Sequence, residues 1–250
     1  MQSFEHTKGS IYFTLGGVPT VIRPSSWIML FIFGAIFGGD LQNFSPVLIF
    51  VVGGMLCLLV HEFGHAFTCR LLGGGDLAIE IASLGGTTYC GRQPRTNLGK
   101  LIMTLAGGGA SLALAGICGV LMGLHIGAMS SGLSYCLLGP IPFVDLSQQV
   151  LSDIMSALYS GEASRFSIMV FGIISSICVW WSIFNLLPIY PLDGGKAVFL
   201  ITNNARTTSL IGVICAVAMC IWCFWSKNIY LGMLCGYFAY MNWMFLRNNS

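Results

Sequence analysis

The sequence predicts an all-α polytopic membrane protein with about six transmembrane helices and a small membrane-associated β-region. Of its 250 residues, 56% are apolar and 8% are charged, and the mean hydropathy is +0.82. Soluble domains carry roughly 25% charged residues. Long apolar runs separated by short polar loops therefore predict one membrane domain over residues 1–250, with no appended soluble domain.

Six apolar segments are the candidate membrane-spanning helices. They cover residues 27–37, 47–72, 101–129, 166–187, 209–225 and 229–246. The first is short for a span, which needs about 20 residues, so a cleaved signal peptide competes with an uncleaved helix. We favour the uncleaved helix because residues 10–22 are typical of a strand with a Gly-Gly break, not of the start of a signal peptide.

Charge predicts the orientation and excludes one class of partner. Six spans put both termini on one side. That side would hold nine basic residues and the other side two, which favours cytoplasmic termini in the cell membrane, inner or plasma. A net charge of +2 without a basic patch argues against nucleic acid and leaves the lipid bilayer as the expected surroundings. The inside residues are Lys8, Arg23, Arg70, Arg92, Arg95, Lys100, Lys196, Arg206 and Arg247, and the outside ones are Arg165 and Lys227.

Three further patterns concern the cysteines and the polar loops. Most of the ten cysteines lie in apolar segments, which is typical of small buried residues and not of a disulfide framework. Residues 77–90 alternate between apolar and polar side chains around Gly85 and Gly86, which predicts a β-hairpin. Residues 145–160 have apolar side chains at helical spacing, which predicts an amphipathic helix on the outer membrane surface or a solvated loop helix.

Ionisable groups cluster in the second predicted span, where residues 61–65 read His-Glu-Phe-Gly-His. Positions i and i+4 share one helix face, so His61 and His65 can bind one metal ion beside Glu62, a general base. Among sequences of this length and composition, about one in a thousand would contain this pattern by chance. A metal-free hydrogen-bonded cluster is the alternative, but three ionisable groups in one turn of a membrane helix are costly without a strong partner.

Catalytic zinc needs a third protein ligand and an open position for water. We prefer Asp193 to Glu80 and His125, because the second and fourth spans run in the same direction and bring Asp193 to the depth of the histidines. Residues 185–196, NLLPIYPLDGGK, cannot form a regular helix, and irregular backbone at membrane depth is buried in protein or lines a wet cavity. Capping the following helix is the alternative role for Asp193.

The segments HEFGH and NLLPIYPLDGGK resemble the site-2 protease family of intramembrane zinc metalloproteases. IYFTLGGVPTVIRPSSW at residues 11–27 and ASLGGTTY at residues 82–89 are similar to that family's N-terminal strand and membrane-associated β-region. The resemblance implies one zinc ion per chain and a lipid-embedded substrate. It also implies the following site residues: ligands His61, His65 and Asp193, base Glu62, and cavity residue Asn185.

The third span departs from that family. Residues 106–111 read AGGGAS, where many members have Ala-Gly-Pro followed shortly by Asn. The role of that Asn therefore does not transfer to Ser111. Glycines at these positions would permit close helix packing.

These features predict regulated intramembrane proteolysis, in which peptide bonds in or near a substrate's transmembrane segment are hydrolysed. Glu62 would take a proton from the attacking water and return it to the leaving amine. The substrate helix must first unwind, and the unwound segment would then pair with a free edge of the hairpin. Proline at Ser83 or Thr88 would test this pairing. The hairpin would otherwise only pack on the bilayer. Asn185 would hold the substrate backbone or the developing oxyanion, or else the kinked chain before Pro188.

Two other classes of function use similar residues. A metal-ion transporter or channel would hold an ion with the same His and Asp cluster, but a conduction path needs polar ligands at several depths, and the other spans are almost free of ionisable groups. A soluble-type zincin adapted to membranes would use Glu or His as its third ligand. Retained metal flux in Glu62→Gln would favour transport over proteolysis.

Overall fold

The protein is predominantly helical, with one small sheet. The computed structural model describes residues 7–37, 44–83, 85–141 and 144–248. In chain order the elements are β1 (Ile11–Leu15), β2 (Val18–Ile22), α1 (Pro24–Phe37), α2 (Ser45–Leu71), β3 (Leu77–Ala82), β4 (Gly85–Cys90), α3 (Asn97–Ile126), α4 (Met129–Leu137), α5 (Gln148–Ser160), α6 (Arg165–Asn185), α7 (Asp193–Thr202), α8 (Ala205–Trp225) and α9 (Ile229–Asn248).

Within the described part of the chain, five helices are long and apolar enough to cross a membrane: α2, α3, α6, α8 and α9. They match the second to sixth predicted spans, and every boundary agrees within four residues. The first predicted span corresponds to α1, an apolar helix of 14 residues. The loop that follows it falls largely on residues 38–43, which lie outside the described residues. The predicted fold class is confirmed.

The chain divides into two compact units, each discontinuous in sequence. The first comprises the described residues up to Gln93 together with Ala106–Ser182, and it contains the sheet, α1, α2, α4 and α5. The second comprises Pro94–Leu105 and Ile183–Ser250, and it contains α7, α8 and α9. Helices α3 and α6 contribute residues to both units. A single domain over residues 1–250 stays a prediction.

The sheet of the first unit lies against α2. Its strand order is β1-β2-β3-β4, with β2 and β3 parallel and the other two pairs antiparallel. The predicted hairpin is confirmed as β3 and β4, but the turn expected at Gly85 and Gly86 is wrong, because these glycines begin β4 and pair with Ala82 and Ile81. Ile79 and Ile81 of β3 are fully buried and share a hydrophobic cluster with Leu58 and Ala66 of α2. Because these two helix residues flank residues 61–65, the cluster places the sheet beside the His-Glu-Phe-Gly-His turn.

The predicted amphipathic helix is α5, and its apolar face is covered by protein. Ser147 caps its N-terminus by accepting a hydrogen bond from the Val150 amide. Ile154 and Ala157 are buried in a cluster that includes Met122 of α3 and Cys136 of α4. The face that was expected to lie on the membrane surface is therefore part of the core of the first unit.

In the second unit, a buried asparagine of α9 holds the irregular segment between α6 and α7. Asn242 is fully buried, its Nδ2 donates to the Tyr190 carbonyl at 2.7 Å, and its Oδ1 accepts from the Tyr190 amide at 3.2 Å. A Cβ at Gly194 or Gly195 would overlap the backbone of residues 186–190. The predicted interruption of the helix is confirmed, and these contacts fix the position at which α7 begins.

One disulfide bond joins Cys69, near the end of α2, to Cys90, the last residue of β4. The other eight cysteines are free, and most of them are buried, as their apolar surroundings predict. The spacing of Cys69 and Cys90 gives no signal for this pairing, because it depends on β4 lying beside α2.

Candidate metal centre

His61 and His65 converge on one point of the first unit. They lie one turn apart on α2, with 2% and 9% of their surface exposed. Their Nε2 atoms are 3.2 Å apart, and their rings meet edge to face with centroids 4.8 Å apart. The i, i+4 spacing thus produces the shared face that the sequence predicts.

The two nitrogen atoms have the separation that a metal ion requires. Two ligands at about 2.0–2.1 Å from a tetrahedral ion are roughly 3.4 Å apart. Gly107 of α3 faces the same point, and a Cβ there would overlap both Nε2 atoms. The absent side chain therefore leaves the space in which a bound ion would lie, and two imidazoles are suitable donors for zinc.

Ser111, one turn further along α3, contacts the His61 ring at Nδ1, the ring nitrogen that does not face His65. Its hydroxyl is fully buried and lies 3.3 Å from His61 Nδ1. A neutral imidazole that donates its Nδ1 proton to this oxygen keeps a lone pair on Nε2 for a metal. Ser111 stands where the related family carries another pattern, so this contact was not predictable from the resemblance.

Glu62 is buried between α2 and the edge of the sheet. Its side chain is 5% exposed, and the Thr88 hydroxyl lies 2.8 Å from Oε2 and 2.9 Å from the Glu62 main-chain oxygen. A Cβ at Gly86 would overlap the Glu62 carboxylate, which shows how closely the backbone of β4 approaches it. The sequence predicted Glu62 as a site residue, but it did not predict that Thr88 and Gly86 would contact it.

The two donors rejected as third ligand are engaged elsewhere. Glu80 accepts hydrogen bonds from Arg23 Nε at 2.7 Å and from the Tyr89 hydroxyl at 3.1 Å. Burial, followed by the hydrogen bond and charge of Glu80, raises the pKa of Tyr89. His125 accepts from the Ser164 amide at 3.2 Å. Both arrangements are structural and need no metal.

Asp193 and Asn185 lie in the second unit, at the two sides of the irregular segment. Asp193 is the first residue of α7 and is 5% exposed, whereas the N-cap position belongs to Leu192. The capping role considered for Asp193 is therefore wrong. Its Oδ1 accepts from Lys196 Nζ at 3.0 Å, and the N-terminus of a helix favours negative charge. Asn185 ends α6 and is 9% exposed.

The first unit thus brings His61, His65 and the Glu62 carboxylate together on one helix, with α3 and β4 supporting them. Within the described residues of the first unit, His61 and His65 offer two imidazole nitrogen atoms suited to holding a metal ion. Several helices are long and apolar, and one of them carries the His-Glu-x-x-His pattern of zinc peptidases. Together these features define the class of membrane-embedded metallopeptidases.

Comparison with known proteins specifies the family. The model of peptidase family M50 matches residues 49–223, and the chain belongs to this family. A curated relative from Synechocystis sp., which its name designates provisionally as a zinc metalloprotease, is 24% identical over 211 residues. The match covers 79% of this chain and 46% of the relative, so the chain spans about half of that protein's length.

A solved structure has the same fold. The site-2 protease from Methanocaldococcus jannaschii superposes with a TM-score of 0.55 at 17% identity, and the match covers 95% of each chain. This likeness and the five apolar helices make the chain an integral membrane protein. The resemblance inferred from HEFGH and the Asp193 segment is therefore confirmed at the level of family and fold.

Proposed function

We propose that this protein is an intramembrane zinc metalloprotease that hydrolyses peptide bonds in or near the transmembrane segments of other membrane proteins. The convergence of His61 Nε2 and His65 Nε2 to 3.2 Å inside an apolar helix carries this proposal. Membership of peptidase family M50 supports it.

One zinc ion per chain would be held by His61, His65 and Asp193. Asp193 supports this role because it is buried at the start of α7 and offers a carboxylate oxygen, which is a common zinc ligand. When bound, zinc supplies a Lewis acid that activates water and polarises the substrate carbonyl. Glu62 would accept the proton of the attacking water and return it to the leaving amine.

The expected substrate is a membrane protein whose transmembrane helix unwinds locally, because the carbonyls of an intact helix are hydrogen-bonded and shielded. An unwound segment needs partners for its main-chain groups. In the described sheet β4 has a single neighbour, so its outer side is a free edge that an extended substrate could join. Asn185 would bind the substrate backbone or the developing oxyanion.

The direct test is incubation of the purified protein with candidate single-span membrane proteins, with and without a zinc chelator, and mass mapping of the products. We expect a cut within or next to the apolar segment, lost with chelator and restored by added zinc. A zinc-loaded protein that cleaves none of a broad set of such substrates would contradict the proposal.

The free edge can be tested at Thr88. Thr88→Pro removes both the hydroxyl and the amide N–H, whereas Thr88→Val removes the hydroxyl alone. If the edge binds substrate, Thr88→Pro should raise KM about fivefold above Thr88→Val, as expected for one lost hydrogen bond of about 1 kcal/mol. Equal KM values in two folded, zinc-loaded variants would rule out the clamp.

Ser83, the other proline site suggested by the sequence, is not suitable for this test. Its φ of 44° is inaccessible to proline, and its amide donates to Ser25 Oγ at 3.1 Å. Proline there would distort the turn that follows β3 whatever the substrate does.

We also propose that both termini and the loop of residues 70–100 face the cytoplasm of a cell membrane. Two exposed basic residues provide a matched pair of reporters, Arg95 and Lys227. In intact cells, an impermeant maleimide should label Lys227→Cys and label Arg95→Cys only after permeabilisation. Labelling in the opposite order would reverse the orientation.

A further inference from the structure

Beyond the residues assigned so far, the environment of the Glu62 carboxylate points to a positioning residue on β4. Among the described residues, the hydrogen-bond partner of the Glu62 side chain is Thr88, at 2.8 Å from Oε2. The same hydroxyl lies 2.9 Å from the Glu62 main-chain oxygen. The single hydroxyl proton can be donated to only one of these two acceptors at a time, and the ionised carboxylate is the stronger one.

Such a hydrogen bond matters because a glutamate has three rotatable bonds, and a free carboxylate would sample several positions. A general base needs its oxygen within hydrogen-bond reach of the proton that it accepts. A hydroxyl bonded to a carboxylate forms a charge-assisted hydrogen bond, which is shorter and stronger than a neutral one. In this buried place it is poorly screened by water.

The arrangement also distinguishes the two carboxylate oxygen atoms. Oε2 is engaged by Thr88, whereas Oε1 faces Gly86, where a Cβ would lie 2.6 Å from it. Gly86 and Thr88 are two residues apart on β4 and so present the same face of the strand to Glu62. Thr88 thus engages Oε2, and the missing side chain of Gly86 lets the Glu62 side chain pack closely against β4.

We propose that Thr88 is a positioning residue that anchors Glu62 through Oε2 and leaves Oε1 as the oxygen that accepts the proton of the attacking water. This inference rests on the proposed proteolytic function. It assigns to β4 a part in orienting the base that is independent of substrate binding along its edge.

The test compares Thr88→Val, which has the same shape without the hydroxyl, with Thr88→Ser, which keeps it. Thr87→Val is the matched control, since Thr87 is exposed and points to the other face of β4. We expect Thr88→Val to lower kcat about 10- to 100-fold with unchanged KM and zinc content, and Thr88→Ser to restore kcat to within a few-fold. Thr87→Val should keep the zinc content and kcat of the unmodified protein.

A second readout does not depend on turnover. Acetohydroxamate binding to the cobalt-substituted protein, followed by visible absorption, should weaken about tenfold in Thr88→Val and recover in Thr88→Ser, because a zinc-binding hydroxamate also needs the oriented carboxylate. Unchanged kcat and hydroxamate affinity in Thr88→Val, or equal losses in the Val and Ser variants, would overturn the role of Thr88 while leaving proteolysis intact. An unmodified protein that neither cleaves nor binds the probe would overturn both proposals.

Discussion

Glu62→Gln should retain its zinc and lose cleavage, by about 10²- to 10⁴-fold, the usual contribution of a general base. Glutamine fits the same space beside Gly86 and can still accept from Thr88, so the fold and the two imidazoles should be undisturbed. Elemental analysis of the purified variant and a cleavage assay on the same sample measure the two properties separately.

The three proposed ligands should behave in the opposite way. His61→Ala, His65→Ala and Asp193→Ala should each lose zinc and cleavage together, because a catalytic ion needs all three protein ligands. Full zinc content and activity in Asp193→Ala would remove it from the ligand set. Metal flux in Glu62→Gln vesicles at the unmodified rate would instead favour a transporter.

Gly107→Ala should lower zinc affinity about 10- to 100-fold, because overpacking a filled site costs about 1–3 kcal/mol. The new methyl group would occupy the space in front of both Nε2 atoms. A competition titration against a chelator of known affinity measures the loss, and cleavage should fall in parallel at limiting zinc.

The neighbouring glycines of α3 provide the control. In the part of the chain that the structure describes, no atom lies within 4 Å of a Cβ placed at Gly108 or Gly109, apart from the adjacent residues and nearby backbone of the same helix. Alanine there should be neutral or should raise helix stability by up to about 1 kcal/mol. Loss of zinc in all three variants would mean that α3 needs glycine for its packing in the membrane, and that Gly107 has no special place at the metal centre.

The residues that could be predicted from the sequence are those whose role depends on local spacing. His61, Glu62 and His65 are placed by one turn of helix, and the hairpin is indicated by the alternation of residues 77–82, although its turn precedes Gly85. The five long helices follow from hydropathy alone. Predicting these features does not require knowing which helices and strands contact one another in the folded protein.

The supporting residues could not be predicted, since each acts across a contact between elements distant in sequence. Thr88 reaches Glu62 over 26 positions and Ser111 reaches His61 over 50. A threonine in a predicted strand and a serine next to glycines in a predicted helix are both common, and neither indicates a functional role by itself. The covered face of α5 was missed for the same reason, because periodicity shows that a face is apolar and does not show what covers it.

The Cys69–Cys90 bond would make the covalent attachment of β4 to α2 depend on the redox state of the compartment that the strand faces. Where thiols are kept reduced, as in most cytosols, β4 would be held to α2 by hydrogen bonds and packing alone. In an oxidising compartment the bond closes a loop between residues 21 positions apart, which stabilises a fold by about 3 kcal/mol. β4 lies in the loop of residues 70–100, which we propose to be cytoplasmic, so the strand that carries Thr88 and the free edge would be tethered only where that compartment is oxidising.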